Sequence, residues 1–311
     1  MEAVLAVGLP IFGLIFAGLG AGKAGILGMA SSDALNRFVY WFALPAMLFN
    51  GMFRAPLGAL IDVPYLAAYL GGVGFVYALA LLIALRWPRR SLTDASILAM
   101  TAAYANVGYM GLPLCALAFG DRGLPPVIVA TVITAALLFA GTTILVEADL
   151  NRAAGAGAAL RRVARALATN PLLLAPIVGG LWVGSGVPLP AAIKNFMDLM
   201  GAAASPCALF ALGLFLAGQS VRDDLPTVGW LVALKLIVMP AVTWILAFRL
   251  IPVSELPAVI AVLLNALPIG AGAFVMAAQY GRQVAPISAA TLISTVVSVI
   301  TVSALMAFYV G

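Results

Sequence analysis

Apolar runs of about 20 residues, separated by short turns, constrain this chain more than any other feature. Of 311 residues 64% are hydrophobic and only 9% charged, and the mean hydropathy is +1.15. A soluble domain carries about 25% charged residues. In hydrocarbon every backbone N–H and C=O must be paired within the protein, so such runs fold as transmembrane helices. The expected fold is an all-α polytopic membrane protein. The first run follows Met1-Glu2 without a basic region, and it reads as a retained span rather than a cleaved signal. The net charge of +5 belongs to the loops, so the expected surround is membrane lipid and no nucleic-acid partner is implied. Cys115 and Cys207 lie far apart in apolar runs, without metal-type spacing, and read as small hydrophobes. No cofactor and no metal are expected.

Ten spans are read along the chain, at about Val4–Leu19, Leu35–Phe53, Pro64–Leu85, Asp94–Phe119, Pro126–Leu145, Pro171–Val183, Phe196–Leu216, Val228–Leu250, Leu256–Tyr280 and Pro286–Tyr309. With the N-terminus outside, the inward loops hold Lys23, Arg37, Arg86, Arg89, Arg90, Arg152, Arg161, Arg162, Arg165, Arg222 and Arg282. The outward loops hold Arg54, Arg122, Lys194 and Arg249. Positive charge favours the inner side, so both termini are expected outside a cell (inner) membrane. Residues 147–170 form the cytoplasmic linker. There Leu160, Val163, Ala164 and Leu167 share one helical face and Arg161, Arg162 and Arg165 the others, the pattern of a basic helix lying on the membrane surface.

A shift of 161 residues aligns the two halves without gaps. It pairs Pro10 with Pro171, Gly25 with Gly186, Pro45 with Pro206, Asp62 with Asp223, Asp94 with Glu255, Gly111 with Gly272, Gly120 with Gly281 and Pro125 with Pro286. Five spans per half is an odd number, so the copies enter the membrane from opposite sides. The expectation is a 5+5 inverted repeat, the organisation of secondary transporters.

Both copies carry an interruption at mid-span. In span 4 the residues Asn106–Pro113 read NVGYMGLP; in span 9 Asn265 precedes LPIGAGAF, residues 267–274. Such breaks survive in hydrocarbon only where protein or a watery cavity serves the freed backbone, although a simple proline kink is also tolerated. Inverted symmetry lets the broken helices 4 and 9 cross, aiming half-helix N-termini at a common centre. That chemistry suits a carboxylate held by fixed dipoles. Candidate substrate-binding residues are Asn106, Gly108, Tyr109, Gly111, Pro113, Asn265, Pro268, Gly270 and Gly272, with Asn50 on the facing wall of span 2. Tyr109 either donates to the substrate or packs beside the break. Thr131, Thr134, Ser294 and Thr295 line the site or simply join helices.

NVGYMGLP, the LNALPIGAGAF stretch followed by Ala278-Gln279-Tyr280-Gly281, and the five-plus-five layout resemble the auxin efflux carrier family over essentially the whole chain. The short bacterial members, often labelled malonate or organic-acid transporters, are the most similar in kind. The resemblance implies a scaffold and homodimer interface from spans 1, 2, 6 and 7 (residues 1–61 and 171–221). It also implies a moving transport domain from spans 3–5 and 8–10 (residues 62–146 and 222–311), with the crossover at Asn106, Pro113 and Pro268. Bile-acid symporters and NhaA-like antiporters share this architecture, so fold does not choose among them.

Coupling is the open point. The eleven acidic residues fall in loops or near span ends, a poor supply for a sodium site. Gln279 is either a coupling ligand or a helix-end amide satisfied by backbone. Lys235 lies well inside span 8, where an ionisable residue is a functional candidate. It reads as a stand-in for a coupling cation, as a proton carrier, or as a snorkelling side chain. The function expected is a secondary carrier of small organic anions, probed against a sodium symporter of the bile-acid type and a passive anion channel. An intramembrane enzyme is not expected, since the chain contains no histidine and no buried acid pair.

Overall fold

A computed structural model describes residues 2–54, 62–88, 90–150, 161, 164, 165, 168–218 and 224–309. The described residues are helical apart from turns and one isolated bridge. Helices α1 (Glu2–Lys23), α2 (Met29–Phe38) and α3 (Leu44–Arg54) open the chain, the last two joined through a π-helical stretch at Val39–Ala43. Then come α4 (Val63–Arg86), α5 (Leu92–Ala103), α6 (Leu112–Phe119) and α7 (Leu124–Leu150). The second half holds α8 (Pro171–Gly184), α9 (Ala191–Ala202), α10 (Ala204–Ala217), α11 (Leu225–Ala233), α12 (Met239–Ile245), α13 (Glu255–Asn265), α14 (Ala271–Tyr280) and α15 (Val284–Tyr309).

Five helical stretches are long and apolar enough to cross a membrane, Val63–Arg86, Val107–Leu150, Ala191–Ala217, Leu225–Leu250 and Val284–Tyr309; four shorter apolar helices accompany them. The protein is therefore a multi-pass membrane protein. Val107–Leu150 comprises 44 residues, about 66 Å if straight, twice the hydrocarbon thickness. The chain instead doubles back at the Gly120–Gly123 turn, and α6 packs on α7.

Helix starts follow local chemistry. Asp62 caps α4 by accepting the Tyr65 N–H, and Ser91 with Asp94 forms a capping box on α5. Asp224 caps α11, one residue past the partner that the 161 shift assigns to Asp62. That partner, Asp223, lies outside the described residues, as do Arg89, Arg152, Leu160, Arg162, Val163, Leu167 and Arg222. Most of the expected amphipathic linker helix falls there too, while its described members Arg161, Ala164 and Arg165 are helical and exposed.

Four described glycines have positive φ, and they form two of the pairs related by the shift. Gly25 and Gly186 stand at 71° and 70°, Gly120 and Gly281 at 59° and 61°. Each follows a helix, where a positive φ turns the chain at a cost that glycine, lacking a Cβ, escapes; Gly281 is left-handed with ψ 32°, whereas Gly120 has ψ −147°.

α1 packs along α10, and α3 packs against α8 and α9. The α1–α10 approach depends on glycine, because a Cβ on Gly18 would strike the Phe210 carbonyl oxygen and one on Gly213 that of Ile15. A second set of contacts joins α4 to α5 and α12, α5 to α7, and α11 to α15.

Candidate functional site

α5 ends at Ala103 and α13 ends at Asn265, and the extended segments that follow them meet. Ala105 pairs with Ile269 in an antiparallel bridge. The Asn106 N–H donates to the Pro268 carbonyl at 2.9 Å, and the Gly270 N–H donates to the Tyr104 carbonyl at 2.9 Å. The Ile269 N–H, freed by the second break, donates to the Ser294 hydroxyl on α15 at 3.1 Å. These bonds answer the demand that interrupted backbone be paired inside a membrane.

Beyond the bridge each chain re-enters a helix. The first does so through a π-helical turn at Val107–Gly111, closed by the Leu112 N–H on the Val107 carbonyl. Pro113 follows and has no N–H to continue that register, so α6 starts afresh. The second re-enters at Ala271. By helix geometry the first N–H groups of both segments have no intrahelical acceptor, and each end carries partial positive charge. Asn106, Pro113, Pro268 and Gly270 are buried here, while Gly108, Tyr109 and Gly272 are half-buried beside them.

The two asparagines have different roles. Asn106 is 4% exposed, and its Nδ2 has no hydrogen-bond partner among the described residues. Asn265 is fully buried, and its Nδ2 donates to the Tyr69 carbonyl at 3.1 Å and to Thr243 Oγ1 at 2.8 Å. Asn106 thus offers a free donor at the meeting of the breaks, whereas Asn265 spends its donors tying α13 to α4 and α12. A buried unpaired donor costs about 1–3 kcal/mol, a cost that a carboxylate oxygen would remove.

Other expected residues lie elsewhere. Asn50 donates to Asp198 Oδ1 at 3.0 Å, and Asp198 also takes the Lys194 ammonium at 2.7 Å. Asn50 and Asp198 line a cleft of about 370 Å³ between α3 and α9 on one side and α6 and α7 on the other, reached also by Leu112, Ala116 and Ile128. Gln279 is exposed on α14. Thr131 and Thr295 bond back to carbonyls of their own helices, and Thr134 bonds to Tyr69, so these hydroxyls join structure. Lys235 does not snorkel: it is fully buried, its Nζ 2.7 Å from the Asn265 carbonyl oxygen and 3.4 Å from Met239 Sδ.

Tyr104 is a residue that the sequence alone did not single out. Its ring lies over the start of α14, where a Cβ on Gly270 would come within 2.9 Å of it and one on Gly272 within 2.6 Å. Phe139 holds the ring edge-on at 5.7 Å between centroids. An aromatic residue directly before a break and two glycines directly after its partner was the available signal.

A family described as membrane transport protein matches residues 3–155 and 156–306. A Rhizobium meliloti protein named "Putative malonate transporter" is 30% identical over 309 residues, covering 98% of this chain and 96% of its own. An "Uncharacterized transporter" of Methanothermobacter thermautotrophicus is 28% identical over 304 residues, 94% of each chain. The Escherichia coli K12 "Uncharacterized transporter YfdV" is 26% identical over 239 residues, 75% of this chain and 74% of its own.

Proposed function

The chain belongs to the membrane transport protein family, the auxin-efflux-carrier group that its sequence resembles, and from that premise we propose that it is a secondary carrier of small organic anions. It is a transporter, not an enzyme. Ten spans arranged as a 5+5 inverted repeat place the interruptions after α5 and α13 at a crossover near the bilayer midplane. The substrate carboxylate binds there, between the N-terminal ends of the segments starting at Val107 and Ala271. The observation that carries the reading is the Asn106 Nδ2, buried and without a partner among the described residues where the two breaks meet. A free donor with positive helix ends calls for a negatively charged oxygen. The paired positive-φ glycines at 25/186 and 120/281 support the repeat, and the name of the Rhizobium relative favours a dicarboxylate such as malonate.

Alternating access is elevator-like in this reading. α4–α7 and α11–α15 move as the transport domain against a scaffold of α1–α3 and α8–α10, and the cleft beside Asn50 and Asp198 lies on the sliding boundary. The scaffold also forms a homodimer through apolar side chains such as Leu181 and Leu199, which are 71% and 77% exposed. Both termini face outside the cell (inner) membrane. The test is purified protein reconstituted on a solid-supported membrane and challenged with carboxylic acids including malonate. Saturable currents that Asn106→Ala abolishes are the expected result. Silence across the panel, or an Asn106 variant with normal currents, would reject the reading.

A further inference from the structure

Lys235 is the only fully buried cation among the described residues, and no carboxylate contacts it. Both of its contacts are acceptors, the Asn265 carbonyl oxygen and Met239 Sδ. Asn265 is the last residue of α13, so the ammonium sits on the C-terminal end of a half-helix, where the partial charge is about −0.5. The helices around it keep their charged groups at their ends. Asp94 and Glu255 each lie ten residues before the break on α5 or α13, about 15 Å along the helix. Arg86 ends α4, Asp62 caps it and Asp224 caps α11, while α12 and α15 carry no charged residue.

The repeat is broken at this residue. The 161 shift pairs Lys235 with Gly74, which is exposed on an α4 that runs as regular α-helix from Val63 to Arg86. In the second copy the corresponding helix contains a π-helical turn at Leu234–Val238, and Lys235 points inward from it. Such turns re-aim side chains and recur at functional sites. The two half-helix ends also differ in what serves them. The carbonyl of Tyr104, after α5, receives a backbone N–H from Gly270, whereas the carbonyl of Asn265 receives the ammonium.

We infer that Lys235 is a resident counter-cation. It carries on the chain itself the positive charge that balances the end of α13 and the bound anion, so that no metal cation or proton travels with the substrate. This rests on the crossover reading above, because the charge is placed at the half-helix end that precedes the second break. Burying an ammonium costs a few kcal/mol, and a permanent role at the half-helix end offsets that cost.

The test measures current and radiolabelled flux together in proteoliposomes, using malonate or the panel acid that gives the largest current. Wild-type protein is expected to move the substrate's own charge per molecule, and replacing sodium with choline is expected to change nothing. A smaller charge per molecule, or a sodium requirement, overturns the inference. Lys235→Met, which keeps volume without charge, is expected to lower flux about tenfold. It is also expected to lose the rise in unfolding temperature that the substrate gives wild type, while remaining monodisperse. Unchanged flux in Lys235→Met together with flux lost in Asn106→Ala removes only this inference. Intact flux in Asn106→Ala, or no flux with any panel acid, removes the crossover reading and this inference with it.

Discussion

At the scale of single residues, the contrast between Asn106 and Asn265 is the sharpest consequence of the structure. Both asparagines sit beside a break, and the sequence alone offers both as substrate ligands, although the 161 shift pairs Asn106 with Leu267 and Asn265 with Tyr104. Asn106→Ala removes an unpaired donor and should leave thermal stability unchanged or slightly raised, while substrate stabilisation disappears. Asn265→Ala removes two buried hydrogen bonds, to Tyr69 and Thr243, and should cost about 2 kcal/mol. Thermal unfolding of both variants with and without malonate separates the roles. Equal destabilisation by the two substitutions would contradict the assignment.

At the scale of elements, the site depends on two extended segments approaching more closely than side chains normally allow. Gly270 is the point where backbone as well as side chain intervenes, since an added Cβ would stand 2.9 Å from the Tyr104 ring and 3.1 Å from the Ala105 carbonyl oxygen. The ring could turn, but the oxygen is backbone of Ala105, held between the two bridge hydrogen bonds and by the Val107 N–H at 2.8 Å, and it cannot yield without disturbing the bridge. Gly270→Ala is therefore expected to abolish transport and lower the unfolding temperature. Gly108→Ala, whose Cβ would meet only Thr131 Cγ2 at 3.6 Å, should fold normally. Pro113→Ala restores an N–H after the π-helical turn, and loss of transport without loss of folding is the expected outcome in the same flux assay.

At the scale of the whole molecule, the elevator reading requires α3 and α7 to slide past one another. Gly51 on α3 lies directly against Ile128 on α7, so close that a Cβ at 51 would collide with its Cδ1. With the native Cys115 and Cys207 replaced by serine, Gly51→Cys with Ile128→Cys should cross-link under mild oxidation. Flux should then stop and return on reduction. Full flux through the cross-linked protein would show that these helices do not move relative to each other.

Apolar runs determined, without any coordinates, that the chain is helical and multi-pass, because a continuous apolar run of about 20 residues pairs its own backbone in hydrocarbon as a helix. Barrel strands are about half as long and alternate in polarity. The clustered glycine, proline and asparagine of NVGYMGLP and LPIGAGAF marked where helices break, whereas lone prolines such as Pro10 and Pro176 stand inside unbroken helices. The motifs NVGYMGLP and LNALPIGAGAF marked the family. Tertiary structure alone decided what each polar side chain does. Asn50 turned to Asp198, Asn265 to Tyr69 and Thr243, and Gln279 outward, because a hydrogen-bond partner is chosen by proximity across helices that sequence spacing does not encode. Lys235 shows the limit most clearly. Its place inside a span was legible, but the π-helical turn that points it at the Asn265 carbonyl exists only in the packed helix.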